Sequence, residues 1–241
     1  MWQNLYHPNI LPFLGLTVVD SVTYLVSPWM ANRDLLTYVK KNSSANCLKL
    51  LLQVAKGVEY LHTLVPMIVH GDLRAANVFI SSTGDVRIAD FGLAHGLVES
   101  GGSGNSSAWK YGGNPRWQAP EIINATTDEE AERTEESDMF AFGRVAIEVY
   151  TQNIPFAYQP ATLVVVTWVA SGKLPTRPMD EVVIARGLDD RMWGLVKDCC
   201  HKRPSSRPTA GVVVRKLQTA LEVRDGGHRP PPLFTARAFF R

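Results

Sequence analysis

The chain has 241 residues, 45% of them hydrophobic and 20% charged, enough to bury one sizeable core or a core with a small satellite. Its 25 Lys and Arg stand against 23 Asp and Glu, a net charge of +2 that gives no case for nucleic acid or an anionic membrane as the main partner. Three cysteines, of which Cys199 and Cys200 are neighbours, exclude a disulfide framework and point to a reducing compartment. No Cys-x-x-Cys pair supports zinc. The longest apolar stretch, 163–170, is far short of the roughly 20 residues that span a bilayer. The opening MWQNLYHPNI lacks the basic, apolar and small-residue regions of an export signal. The sequons at Asn42, Asn105 and Asn124 then read as chance, and the expected location is cytoplasmic.

In chain order, residues 11–19 and 22–26 are Leu- and Val-rich and read as strands joined by a tight turn at Asp20-Ser21. From Arg33 the pattern turns helical. Leu35, Tyr38 and Val39 share a face, and Leu48, Leu51, Leu52, Ala55, Val58 and Leu61 keep a 3-and-4 spacing over four turns. Short β segments are expected at 67–69, 78–80 and 86–89. Residues 95–116, rich in Gly, Ser and Asn, read as a long loop, which makes Gly-Gly-Ser-Gly at 101–104 flexible chain rather than a phosphate loop. Helices are expected near 136–151, 161–170, 188–201 and 209–223. The end from Asp225, with Gly-Gly and Pro-Pro-Pro, reads as a disordered tail.

Chemistry concentrates in two places. His70-Gly71-Asp72-Leu73-Arg74-Ala75-Ala76-Asn77 lies between two short strands, and Asp90-Phe91-Gly92 follows the strand at 86–89. A carboxylate and an amide oxygen at one sheet edge can hold a hard cation. A second carboxylate nearby can accept a proton from an attacking hydroxyl. Positioning, a cation and a base are what phosphoryl transfer requires.

These residues resemble the eukaryotic protein kinases, whose catalytic loop is followed by Asp-Phe-Gly and later Ala-Pro-Glu. All three occur in order, with Ala-Pro-Glu at 119–121. Leu5-x-His7-Pro8-Asn9-Ile10, Ser137-Asp138-Met139-Phe140-Ala141-Phe142-Gly143 and Arg203-Pro204-Ser205-Ser206-Arg207-Pro208 also resemble kinase stretches, so the likeness runs from about residue 5 to 223. It implies an α+β, protein-kinase-like fold: a remnant of the small-lobe sheet with the hinge in 1–30, a mostly helical large lobe in 31–223 and a tail in 224–241. It further implies ATP and Mg2+ as cofactors and a protein substrate. Asp72 would orient the acceptor hydroxyl and take its proton, Arg74 would steady the phosphoryl group, and Asn77 and Asp90 would hold magnesium. Ser27, Pro28, Met30 and Asp34 would contact the nucleotide. His70 and Phe91 would pack structurally, Asp138 would brace the catalytic loop, and Glu121 and Arg207 would form a buried ion pair.

The sequence also departs from that pattern. A kinase has a Gly-rich loop, a strand lysine and a helix glutamate before the His-Pro-Asn-Ile stretch. Here Lys40, Lys41, Lys49 and Lys56 all come after the hinge. The expectation is therefore a truncated chain: a fragment or incomplete gene model, or else an inactive pseudokinase or scaffold whose exposed hairpin meets a partner completing the small lobe. Gly71 replaces the usual Arg, which weakens control by phosphorylation at Ser103, Ser106, Ser107 or Tyr111. Asn114 stands where Ser/Thr kinases have Thr. Leu73 to Asn77 resembles cytoplasmic tyrosine kinases, whereas Pro115-Arg116-Trp117 before Ala-Pro-Glu resembles tyrosine-kinase-like Ser/Thr kinases. The second stretch faces the substrate, so Ser/Thr is favoured over Tyr.

Overall fold

A polar pair between two apolar runs makes the first element. In a computed structural model, which describes residues 2–90, 95–96 and 113–226, β1 (Gly15–Val19) pairs antiparallel with β2 (Val22–Val26), Val19 opposite Val22. Asp20 and Ser21 both have positive φ, 49° and 64°, the two-residue turn whose twist suits a hairpin. β1 starts later than the apolar run at Leu11, although the Leu14 N–H already donates to the Val26 carbonyl at 2.9 Å; Pro12, with no N–H, cannot carry that pairing further back. The Leu11 N–H instead donates to the Ile88 carbonyl at 2.8 Å. Leu16, Val18, Val19, Val22, Tyr24 and Leu25 are between 49% and 66% exposed, so the hairpin buries neither face.

The helices that follow start at side-chain caps, which satisfy N–H groups that have no partner inside the helix. Asp34 caps α1 (Leu35–Lys41) and Asn46 caps α2 (Cys47–Thr63). The expected ladder of α2 is buried along its length, with Leu50 and Val54 beside it. β4 (Val78–Ile80) and β5 (Val86–Ile88) pair antiparallel, while β3 (Ile68–Val69) pairs with β6 (His95–Gly96). β6 falls inside the stretch read as loop, because two residues are too few to show any alternation.

After residue 113 come α3 (Pro120–Ile123), α4 (Glu135–Thr151), α5 (Thr162–Ala170), α6 (Glu181–Ala185), α7 (Asp190–Cys199) and α8 (Ala210–Gly226). α3 and α6 are too short for a 3.6-residue period to register. α7 starts two residues later than expected because Asp189 caps it, accepting the Met192 N–H at 2.8 Å. α8 continues through Arg224, Asp225 and Gly226, three residues past the expected helix end at 223 and inside the expected tail 224–241. The rest of that tail, Phe91, residues 101–104 and the four candidate phosphorylation sites lie outside the described residues.

α4 is the axis of the molecule. A capping box between Thr134 and Ser137 starts it, and every residue from Ser137 to Tyr150 is buried. A helix buried all round belongs in the middle of a core. α2 packs on one side of it and α7 on another, with α8 behind α2. At Gly143 the approach is so close that a Cβ would lie 2.5 Å from Cys200 Sγ and 3.0 Å from Cys199 Cβ. Cys199 and Cys200 are thus packing residues, and burial raises both thiols above their ordinary pKa. Among the described residues no helix is long and apolar enough to cross a membrane.

Candidate active site

The loop between β3 and β4 is held by polar groups on its backbone. Asp138, in the first turn of α4, accepts the His70 N–H at 2.8 Å and the Gly71 N–H at 2.9 Å. His62, near the end of α2, donates Nε2 to the same carboxylate at 2.9 Å. Burial pushes the Asp138 carboxyl up, but the bond and charge of His62, the nearby His70 ring and the Gly71 N–H more than offset it. Its pKa falls below the ordinary value, so a 1% exposed carboxylate stays ionised.

His70 joins this loop to the end of β5. Its ring is buried, Nδ1 accepts the Asp72 N–H at 3.2 Å and Nε2 donates to the Ala89 carbonyl at 2.9 Å. The Ala89 N–H in turn donates to the Asn77 carbonyl at 2.9 Å. Ala89 is thereby bonded to the loop on both sides, and Asp90, the next residue, emerges at the same edge as Asp72 and Asn77. Asp90 is exposed with φ +61°, a conformation that side chains other than glycine seldom take and that gathers at functional sites. Asn77 is buried and donates Nδ2 to both the backbone oxygen and Oδ2 of Asp72, at 2.8 and 2.9 Å. Arg74 reaches the same Oδ2 at 3.6 Å from Nε. Asp72, Arg74, Asn77 and the start of Asp90 are therefore one cluster.

The hinge residues lie apart from that cluster along the chain. Ser27, Pro28 and Met30 are partly buried and Trp29 is 88% exposed. The Met30 carbonyl closes a turn by accepting the Arg33 N–H at 3.1 Å, and Asn32 and Arg33 bond the backbone of Ile80 in β4. Asp34 has a local task that sequence reading did not assign: its two carboxylate oxygens accept the N–H and hydroxyl of Thr37 at 2.9 and 2.5 Å.

Below the loop, Arg207 and Glu121 form a two-bond ion pair at 2.6 and 2.7 Å. Its guanidinium is enclosed, but the Glu121 side chain is 27% exposed, so only one partner is fully buried. Asn114 turns its Oδ1 to the Arg116 N–H at 3.1 Å, and the Arg116 guanidinium donates to the carbonyls of Pro155, Phe156 and Gln159.

Glu148 and Arg133 belong to this site and are absent from the sequence reading. Glu148 is 1% exposed, and its Oε2 accepts the Ala75 N–H at 2.9 Å and the Trp117 indole N–H at 2.7 Å. Burial raises its carboxyl to about 7 against those bonds and the charge of Arg74. The signal was an acidic residue that, with Arg144, interrupts the apolar run 139–150, since a charge placed there must find partners. Arg133 precedes α4 in an acidic, helix-free stretch, and no spacing singles it out.

The chain matches the protein kinase domain family over residues 1–217 and belongs to that family. The α+β fold, helical with short antiparallel strands, is that of a protein kinase domain. Among curated proteins the chain is 31% identical over 219 residues to a probable serine/threonine-protein kinase of Dictyostelium discoideum, covering 89% of this chain and 19% of that protein. It is 33% identical over 227 residues to a putative serine/threonine-protein kinase/receptor of Acanthamoeba polyphaga mimivirus, covering 92% and 13%. It is 27% identical over 237 residues to the serine/threonine-protein kinase CTR1 of Arabidopsis thaliana, covering 95% and 26%. The chain thus spans no more than about a quarter of these relatives' length.

Proposed function

We propose that this domain transfers the γ-phosphoryl group of ATP to Ser or Thr hydroxyls of a protein substrate. The observation that carries the reading is the double tie of Ala89, which brings Asp90 to the edge where Asn77 already holds Asp72. Asp72 is then the base: Asn77 fixes one of its oxygens, and the acceptor hydroxyl passes its proton to the carboxylate as it attacks. Arg74, beside that carboxylate, offsets negative charge on the phosphoryl group in transit.

Asn77 and Asp90 fit a magnesium ion. With Nδ2 committed to Asp72, the Asn77 oxygen is the atom left for a cation, and Asp90 supplies a second hard oxygen. Among the described residues no cluster of three or more His, Cys, Asp or Glu could make a closed metal cage. Two hard oxygens, from Asn77 and Asp90, suit a cation which keeps water and phosphate oxygens in its shell. Bound Mg–ATP supplies the phosphoryl group and neutralises charge on its oxygens. The Met30 N–H and the Pro28 carbonyl are the adenine contacts of this reading, with Ser27 and Asp34 flanking them. The names of the three relatives, each a serine/threonine-protein kinase, support Ser or Thr as acceptor.

A second reading is a nucleotide-independent binding module, favoured by one observation: the hairpin presents Leu16, Val18, Tyr24 and Leu25 to solvent. One experiment separates the two. The purified chain is melted with Mg–ATP and assayed with labelled ATP on Ser, Thr and Tyr peptides. Micromolar stabilisation is expected, lost in Asp90→Ala. Asp72→Asn should keep the stabilisation and lower transfer by about 10²–10⁴-fold. Absence of stabilisation by Mg–ATP, or undiminished transfer in Asp72→Asn, overturns the kinase reading. Phosphotyrosine as the main product overturns the choice of acceptor.

A further inference from the structure

Gly71 leaves the catalytic loop without the side chain that kinases usually carry beside the catalytic aspartate. Folding brings another guanidinium to that place. Arg133, on the segment before α4, is 3% exposed and donates Nη1 to the Gly71 carbonyl at 2.7 Å. A Cβ built on Gly113 would lie 3.5 Å from Arg133 Nη2 and 3.5 Å from Asp72 Oδ1, so the guanidinium and the carboxylate border one gap. Asp72 and Arg133 also line, with Asn114 and Gln118, a cavity of about 20 Å³, room for about one water molecule. Burial lowers the pKa of Arg133, while the charges of Asp72 and Asp138 draw it back up.

The backbone shows what this contact does. Gly71 has φ +77° and no side chain, so nothing of its own restrains the peptide between it and Asp72. Its N–H is held by Asp138, and the Asp72 N–H by His70. Its carbonyl is held by Arg133.

We propose that Arg133 is a positioning residue for phosphoryl transfer, fixing the Gly71–Asp72 peptide and hence the aim of the Asp72 carboxylate. This rests on the kinase reading above, in which Asp72 is the base. Misaiming a reacting group by about 1 Å costs on the order of a hundredfold in rate.

The test uses the full chain as Arg133→Met, Arg133→Gln and Arg133→Lys, with kcat and KM measured well below melting and amide exchange followed at Asp72. Arg133→Met should lower kcat by about tenfold to a hundredfold, with KM for ATP nearly unchanged. Arg133→Lys, able to reach the same carbonyl, should recover much of that loss. Exchange at the Asp72 amide should accelerate in Arg133→Met, while the amides of His70 and Gly71, held by Asp138, stay protected. Arg133→Gln, shorter and neutral, serves the same comparison should the Met variant not fold. An unchanged kcat overturns the proposal, as does a fall that only tracks the folded fraction with Asp72 exchange unaltered. If the unaltered chain transfers no phosphate, the kinase reading fails by itself. Asp72 exchange then decides: acceleration upholds Arg133 as the residue that positions the loop, and an unchanged rate overturns it.

Discussion

Two buried carboxylates in α4, Asp138 and Glu148, meet opposite fates. Asp138 accepts two backbone N–H groups and a histidine N–H, and its pKa falls. Glu148 is equally enclosed, accepts two neutral N–H groups on one oxygen, and rises to about 7. The sign for stability follows. A carboxyl whose folded pKa lies above its unfolded value binds more protons folded than unfolded, so its contribution is complete below the unfolded value of 4.5 and is lost as pH climbs through about 7. The shift corresponds to a loss on the order of 3 kcal/mol. Asp138 does not oppose this, because its contribution falls away only at pH below the ordinary carboxylate range. Denaturant melts at pH 5 and pH 8 should therefore show the chain less stable at pH 8, with most of the difference gone in Glu148→Gln. An equal pH dependence in that variant would show that Glu148 is not the group responsible.

Between elements, the contact of α4 with α7 is set by the absence of one side chain. Gly143 lets the Cys199-Cys200 pair approach the α4 backbone, and the space a Cβ would need is filled by Cys200 Sγ. Gly143→Ala should destabilise the fold by about 1–3 kcal/mol through overpacking. Cys200→Ala removes the obstructing sulfur, so the double variant should recover part of that loss, a coupling readable in a double-mutant cycle. Simple additivity of the two changes would mean that α7 shifts freely against α4. Elements that meet through caps and backbone, such as the loop tied by Asp138, are held by direction rather than volume.

Across the whole molecule, apolar residues divide sharply by where they end up. Leu51 in α2 is fully buried, whereas Leu16 in β1 is 62% exposed, although both come from Leu-rich stretches. Leu51→Ala should cost about 2–5 kcal/mol, lost transfer energy plus the cavity left behind. Leu16→Lys should change stability by no more than about 0.5 kcal/mol. Denaturant unfolding of the two variants checks the contrast. A large loss at Leu16 would mean that the hairpin packs against something in solution.

The periodicity of α2, the Asp20-Ser21 turn and the helix at 136–151 follow from local pattern, because near neighbours decide a helix face or a tight turn; the caps at Asp34 and Asn46 are as local, but the sequence reading did not assign them. The positions of Asp72 and Asn77 on the loop before β4 and of Asp90 at the end of β5 were legible too, since they follow from order along the chain. Partnership across long separations was not legible. That His62 would bond Asp138, that Glu148 would join the Ala75 backbone to Trp117, and that Arg133 would take up the Gly71 carbonyl depend on where folding brings α2, α4 and the catalytic loop. A charged side chain in sequence shows that a partner is needed; only packing in three dimensions selects which one, because buried charges must pair with whatever polar group the fold leaves within about 3 Å.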